Sequence, residues 1–218
     1  MTLWVGVDVG GTYTDLVAID GAGRVEARKV LSTPQDQSEG VLDAVKALAR
    51  HDIDRFVHGT TVATNMLLER KGARVALCVT QGFADLLYLR RQDRASLYNL
   101  AADHPAPLVP RELTVPVPER VEPQGITRPL TADVADQVAE QVVALKPDVV
   151  AVVLLHLYRE PSHEQILRDA ILRRAPETEV VLSSEVFPEI REYERASTTV
   201  AEAYLRPGVA RYLRNLYY

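Results

Sequence analysis

Three short segments of this chain hold the residue types that do chemistry. The first, GVDVGGTYTD over 6–15, sets an acidic residue, Asp8, at the end of an apolar run and follows it with Gly10, Gly11, Thr12 and Thr14. Gly10 and Gly11 lack a Cβ and adopt φ > 0 freely, so an anion can come right up to the main chain. Successive N–H groups turned into one concavity make a nest for phosphate. Asp8 is a candidate to hold Mg²⁺ through its waters, because that ion favours a carboxylate combined with substrate phosphates. The plain alternative is a glycine turn in an ordinary hairpin, with Asp8 as a solvated strand end. The commoner phosphate loops do not account for the segment, which has neither G-x-x-x-x-G-K-[ST] nor G-x-G-x-x-G running into a helix.

The second segment is HGTTVATN over 58–65. His58, Thr60 and Thr61 are candidate catalytic residues on the substrate side: an imidazole that titrates near neutrality, and two hydroxyls at a strand end where a helix begins. The alternative gives one threonine to helix capping and the imidazole to nearby backbone. The third is REYERASTTV over 191–200, where Arg191/Glu194 and Glu192/Arg195 are spaced to pair on one helix. Ser197, Thr198 and Thr199 are poor helix formers there, which points either to a site or to close packing. No zinc-type spacing links the histidines, and no G-x-S-x-G elbow is present.

The elements that must position these residues are legible from periodicity. Strands over 3–9, 13–19 and 24–31, joined by tight turns, form an opening meander. A polar loop over 32–39 leads to a helix with Val41, Val45, Leu48 and Ala49 on one face. A strand over 55–58, a helix over 61–70, a strand over 74–80 and a short helix over 82–89 follow, and such alternation predicts an α/β fold with a mostly parallel sheet. Residues 103–129 hold seven of the thirteen prolines. They read as a loop excursion with one strand-like piece, 113–117, between an α/β part over 1–102 and a second over 130–190. Thr131 is placed to cap a helix whose face is Ala135, Val138, Ala139 and Val142. Val149 to Leu155 reads as a strand buried on both faces. A helix from Pro161, a strand over 179–182 and a helix over 190–205 come next. Pro207-Gly208 then predicts a break before a last helix, whose apolar face, Val209, Tyr212, Leu213 and Leu216, wants a partner.

Composition bounds the function. Of 218 residues, 47% are hydrophobic and 25% charged, with a net charge of −5, which is ordinary for a globular protein and argues against nucleic acid as a partner. The longest apolar run is too short to span a bilayer, and the start lacks the basic and apolar regions of an export signal. One cysteine, Cys78, excludes an internal disulfide and reads as a small buried hydrophobe. A cytoplasmic location is the expectation.

In these blocks, and in SSEVFPEIREYERASTTVAEAYLRP over 183–207, the chain resembles the N-terminal part of the ATP-dependent hydantoinase A / 5-oxoprolinase family, which includes N-methylhydantoinases and acetone-carboxylase β-type subunits. The resemblance implies an actin-like ATPase lobe (ribonuclease H-like) over 1–218. Asp8 would be on the metal, and Gly10, Gly11, Thr12 and Thr14 on the phosphates of ATP. The implied reaction is ATP-driven opening of a cyclic amide or imide by carbonyl phosphorylation; ketone carboxylation, or a non-catalytic nucleotide-binding module, are the alternatives. Family members carry a second D-x-G-G-T-x-T-D element and an adenine-binding lobe further on. The chain is therefore expected to hold half a site, completed by that C-terminal lobe or a hydantoinase B-like subunit, and not to turn over ATP unaided.

Overall fold

Period-two alternation organises the first part of the chain and continuous apolar runs the second, and the structure separates along that line. A computed structural model describes residues 2–33, 37–48 and 52–217. Two compact units result: 1–72 with 205–218, and 73–204. The boundary at 72/73 differs from the subdivision expected at 103–129. The strand following Gly72 pairs with strands from far along the chain, and this hydrogen bonding outweighs sequence proximity. Ala49 and His51, and the middle of the 32–39 loop, lie outside the described residues.

In the first unit, β1 (Leu3–Val9), β2 (Tyr13–Asp20) and β3 (Val25–Leu31) form the meander, and β4 (Arg55–Thr60) adds in parallel beside β1, giving the order β3-β2-β1-β4. Alternation puts Leu3, Val5, Val7 and Val9 of β1 with Leu16 and Ala18 of β2 on one face. Helix α1 (Gln37–Lys46) closes that face with Val41 and Ala44. Each such aliphatic side chain taken out of water contributes about 1.5–3 kcal/mol. Helix α2 (Val62–Leu68) follows β4; it is shorter than the predicted 61–70 and buries no residue fully.

In the second unit, β5 (Val75–Thr80), β6 (Thr114–Val117), β9 (Val149–Val153) and β10 (Glu179–Leu182) make an all-parallel sheet, order β10-β9-β5-β6. Every residue of β5 and β9 is buried, as the continuous apolar runs require. Helices α3 (Leu86–Leu89), α4 (Ala132–Ala144), α5 (Ser162–Arg174) and α6 (Ser183–Val186) complete this unit together with the start of α7 (Glu192–Tyr217). Thr131 caps α4, its hydroxyl accepting the Val134 N–H, and the predicted face of Ala135, Val138, Ala139 and Val142 is buried. Cys78 is buried and inert, its thiol pushed up to about 12 by desolvation.

Two expectations need correction. Within 103–129 the chain also forms a small hairpin, β7 (Arg120–Glu122) and β8 (Gly125–Arg128), turning at Gly125 with φ +134°. The second correction concerns Pro207-Gly208, which does not break the last helix: α7 runs through it to Tyr217. Gly208 explains the tolerance. A Cβ there would lie 2.3 Å from Met66 Cε, so the glycine lets α7 approach α2, and packing offsets the lost helix hydrogen bond at Pro207. The apolar face of the helix tail is not unpartnered, since Leu216 packs on the core of the first unit.

Candidate functional site

The end of β1 turns on Gly10, whose N–H donates to Tyr13 O at 3.0 Å; a Cβ on Gly10 would sit 3.0 Å from that same oxygen. Ser32, just past β3, fastens the turn from beneath. Its N–H donates to Thr12 O (2.9 Å) and its Oγ to Gly10 O (2.8 Å). Because the single Ser32 hydroxyl proton is spent on Gly10, Thr14 Oγ1 donates to Ser32 Oγ (3.1 Å). Thr14 is fully buried, so the structure places it under the turn as a support and not among the phosphate-facing groups. Gly10 is likewise committed through its N–H. Gly11 and Thr12 are the exposed pair, and their N–H groups find no acceptor among the described residues.

Strand register decides what surrounds that pair. Asp8 faces Asp15 across β1/β2 and Gly59 across β1/β4, on the sheet face opposite the core. Gly59 makes room for it, since a Cβ there would lie 3.2 Å from Asp8 Oδ1. Two carboxylates directly opposite repel; Lys29 Nζ, 2.8 Å from Asp15, relieves half of this, and Asp8 stays open to solvent. Among the described residues no group of three or more His, Cys, Asp or Glu side chains is placed to hold a metal. An exposed carboxylate beside open main-chain donors fits Mg²⁺ shared with a phosphate, and does not fit a cation caged by protein alone.

The second segment reaches the same sheet edge only in part. Thr61 lies beside the turn, with Oγ1 donating to Val9 O (3.2 Å), and Asn65 donates through Nδ2 to Thr61 Oγ1 (3.3 Å). Asn65 Nδ2 stands 3.7 Å from the position of a Cβ on Gly11. Thr60 Oγ1 accepts the Val62 N–H (3.1 Å), a local bond at the start of α2. His58 is elsewhere. Its register partner is Val7, so it projects to the core face while Asp8 projects to the other. There His58 Nε2 and Tyr212 Oη of α7 share a hydrogen bond of 2.5 Å, and Phe56 stacks alongside. Burial holds its pKa below the ordinary value, against the Val7 carbonyl and the Asp8 charge, which raise it. Alternation puts His58 and Thr60 on one face of β4, beside Val7 and Val9, while Asp8 lies on the other; the His58 ring is turned to Tyr212, and the Thr60 and Thr61 hydroxyls bond main chain at the start of α2 and at Val9.

A second polar cluster sits at the carboxyl ends of the parallel strands. Thr80 Oγ1 donates to Glu119 Oε1 and accepts the Leu155 N–H; Glu119 Oε2 bonds His163 Nδ1 at 2.7 Å, and His163 Nε2 accepts the Leu130 N–H. Glu164 accepts from the Leu154 N–H, Ser183 Oγ and the Ser184 N–H, yet burial still raises its pKa. Arg195 of the third segment is wholly buried, donating to Glu189 O (2.6 Å) and Leu154 O (3.1 Å), with Glu192 at 3.8 Å. Glu194 pairs with Arg91 rather than with Arg191. Thr198 and Thr199 spend their hydroxyls on the carbonyls of Glu194 and Arg195, so this segment serves packing and helix bonding.

Sequence reasoning did not single out Ser32, Asp15 or Asn65, and placed Tyr212 only on the apolar face of the last helix. Asp15 and Asn65 stand inside the quoted segments, and β-pairing of 3–9 with 13–19 would have placed Asp15 opposite Asp8. Ser32 carries no local signal, and helical periodicity marks Tyr212 as apolar-facing without pointing to His58.

Known proteins bear on this geometry. The family described as the hydantoinase/oxoprolinase N-terminal region matches residues 4–175. The alpha subunit of caprolactamase from Pseudomonas jessenii is 35% identical over 225 residues, covering 97% of this chain and 32% of that protein. The crystal structure of that ATP-dependent caprolactamase superposes with a TM-score of 0.85 at 34% identity, covering 97% of this chain and 33% of the other. A nucleotide-free structure of acetone carboxylase superposes with a TM-score of 0.87 at 27% identity, covering 99% of this chain and 34% of the other. The chain thus spans about a third of the length of the relatives it matches. With one family matching 4–175, through the glycine turn and the parallel sheet alike, this chain belongs to the hydantoinase/oxoprolinase family, of which it comprises the N-terminal region.

Proposed function

We propose that the chain is the phosphate-loop lobe, of actin-like ATPase fold, of an enzyme that uses ATP and Mg²⁺ to open a cyclic amide or imide of the 5-oxoproline, hydantoin or related lactam class. The observation that carries this reading is the exposed Gly11–Thr12 pair with open N–H groups, three residues beyond Asp8 and Asp15 on their two strands. On this reading the two N–H groups bind phosphate oxygens and Asp8 holds Mg²⁺ through its waters. Gly10, Ser32 and Thr14 keep the turn in shape before any ligand arrives, so little reorganisation accompanies binding. ATP supplies the phosphoryl group that makes an unreactive carbonyl attackable by water. Thr61 and Asn65 border the loop where a transferred group would sit. His58 supports α7 on the core face and takes no proton from substrate. The second half of the site comes from a C-terminal lobe or a hydantoinase B-like subunit, and the lobe alone does not release phosphate.

Calorimetric titration of the chain with Mg·ADP and Mg·ATP tests the reading. Binding is expected for wild type and lost in Gly11→Arg, whose melting temperature stays close to wild type because its Cβ meets only Asn65 Nδ2, at an ordinary contact distance of 3.7 Å. Equal binding by both proteins would overturn the phosphate loop. Phosphate release by the isolated chain clearly above the Gly11→Arg control would overturn the half-site. Ketone carboxylation is the second reading, favoured by the superposition on acetone carboxylase. Once the site is completed, phosphate release stimulated by a ketone with bicarbonate, and not by a lactam, would select it.

A further inference from the structure

Positive charge is left unanswered at the carboxyl end of β5. In the parallel sheet β6 lies on one side of β5 and β10 lies beyond β9 on the other, so the chain leaves the neighbours β5 and β9 in opposite directions. Such a divergence opens a crevice above the strand ends, where α/β sheets receive small ligands. The exit from β5 is a tight turn: the Phe83 N–H donates to Thr80 O at 3.0 Å, with Gly82 at φ +94°. Gly82 is exposed, and its N–H meets no acceptor among the described residues. Nothing lies within 4 Å of where its Cβ would be.

Two arginines of the β7/β8 hairpin close on this turn. Arg120 and Arg128 are register partners. The Arg120 guanidinium lies over the Phe83 ring, 5.5 Å from its centroid, and Arg128 Nη1 donates to Gln81 Oε1 at 3.0 Å. The two cations therefore bracket Gly82. Neither is in an ion pair among the described residues. Glu119, next to Arg120, is spent on Thr80 and His163, and that buried network fixes where β5 ends and β7 begins. Like charges directly opposite across two strands are destabilising, and an anion held between them relieves the repulsion.

We infer that Arg120, Arg128 and the Gly82 N–H form a carboxylate site, and that this site selects 5-oxoproline, a ring bearing a carboxylate, over hydantoin or an uncharged lactam. The choice among cyclic amides rests on the reading of the chain as part of an amide-opening enzyme; the anion site itself does not. Guanidinium forks match the paired oxygens of a carboxylate. With Glu122 on the same hairpin, the charge left over is a single positive one, which a carboxylate neutralises and a phosphate dianion overshoots. The half-buried Phe83 ring beneath Arg120 offers apolar surface to the carbons of a small ring. A lactam without the carboxylate leaves both guanidiniums unanswered, and polar sites discriminate strongly against a ligand that lacks the group they bind.

Ligand-observed NMR titration of the chain, without nucleotide and at constant ionic strength, tests the site with 5-oxoproline and with pyrrolidinone, the same ring lacking the carboxylate. 5-Oxoproline is expected to bind wild type at least about tenfold more tightly than pyrrolidinone. Arg120→Gln and Arg128→Gln are expected to erase that preference. Their melting temperatures stay close to wild type, since each change removes one of two repelling charges. Arg173→Gln, on α5, and Gly11→Arg keep wild-type binding of 5-oxoproline. No binding of 5-oxoproline to wild type, or binding unchanged in both arginine variants, would overturn the proposal. Loss of binding in Gly11→Arg would also overturn it, by moving the ligand to the phosphate turn. Inorganic phosphate bound more tightly than 5-oxoproline, with the same arginine dependence, would replace it with a phosphate site. Binding of 5-oxoproline through the arginines, in a chain that fails to bind Mg·ATP, would uphold this site and remove only the nucleotide reading.

Discussion

Two strand ends in this molecule carry clusters of polar atoms, and they are built in opposite ways. At the end of β1 the donors are main-chain N–H groups of Gly11 and Thr12, exposed and open, above a turn fastened by Ser32. At the ends of β5, β9 and β10 the groups are side chains, Thr80, Glu119, His163 and Glu164, buried and bonded to one another or to strand-end N–H groups. An open cluster has capacity left for a ligand. A closed cluster has used its capacity to fasten the elements that meet there. Substitutions in the first should therefore change binding more than stability, and substitutions in the second the reverse.

The largest effect is expected at Glu119. Glu119→Ala strands His163 Nδ1 and the Thr80 hydroxyl in the interior, and breaking a buried polar pair of this kind costs about 3–5 kcal/mol. Urea denaturation measures it. A loss below about 1 kcal/mol would show that water reaches the network, and the contrast between closed and open clusters would go. Ser32→Ala comes next. It frees Gly10 O and the Thr14 hydroxyl beneath the turn, at about 1–2 kcal/mol for a partly buried pair. Because Ser32 holds the turn and touches no ligand, its loss should weaken Mg·ADP binding in calorimetry by less than Gly11→Arg does. Equal loss in the two variants would mean that the donors are not arranged in advance.

Much of this architecture is legible in the sequence, for physical reasons that differ by region. The meander, the buried strands β5 and β9 and the α4 face follow from period two, continuous burial and period 3.6 respectively, each a property of a few adjacent residues. The glycine turn is legible because its chemistry is local. Cross-strand and long-range neighbours are not: His58 shares a face with Thr60, yet its surroundings are set by Val7 beside it in the sheet and by Tyr212 far along the chain. Ser32 and Tyr212 act over separations of 22 and 154 residues, which no local pattern encodes. The hairpin at 120–128 is hidden by its brevity and by prolines at 116, 118 and 123. At Pro207 the local rule is right about the missing N–H, but packing at Gly208 overrides it.

The smallest predicted effect separates the two faces of the first sheet. Burial keeps the His58 pKa below the ordinary histidine value of 6.5, so the folded protein resists protonation that the unfolded chain accepts. Between those two values the unfolded state binds more protons, and stability contributed by neutral His58 is lost as pH falls through that window. The hydrogen bond to Tyr212 Oη is part of what the neutral ring holds in place. Comparing urea midpoints of wild type and His58→Gln from about pH 7.5 down to about pH 5 isolates this contribution, because other titrating groups are shared. The wild-type midpoint should fall more steeply on acidification, while Mg·ADP affinity, set on the opposite face by Gly11 and Thr12, stays the same in both proteins at neutral pH. A parallel pair of midpoint curves would remove His58 from the core face. A large drop in nucleotide affinity in His58→Gln would return the imidazole to the phosphate site from which strand alternation excludes it.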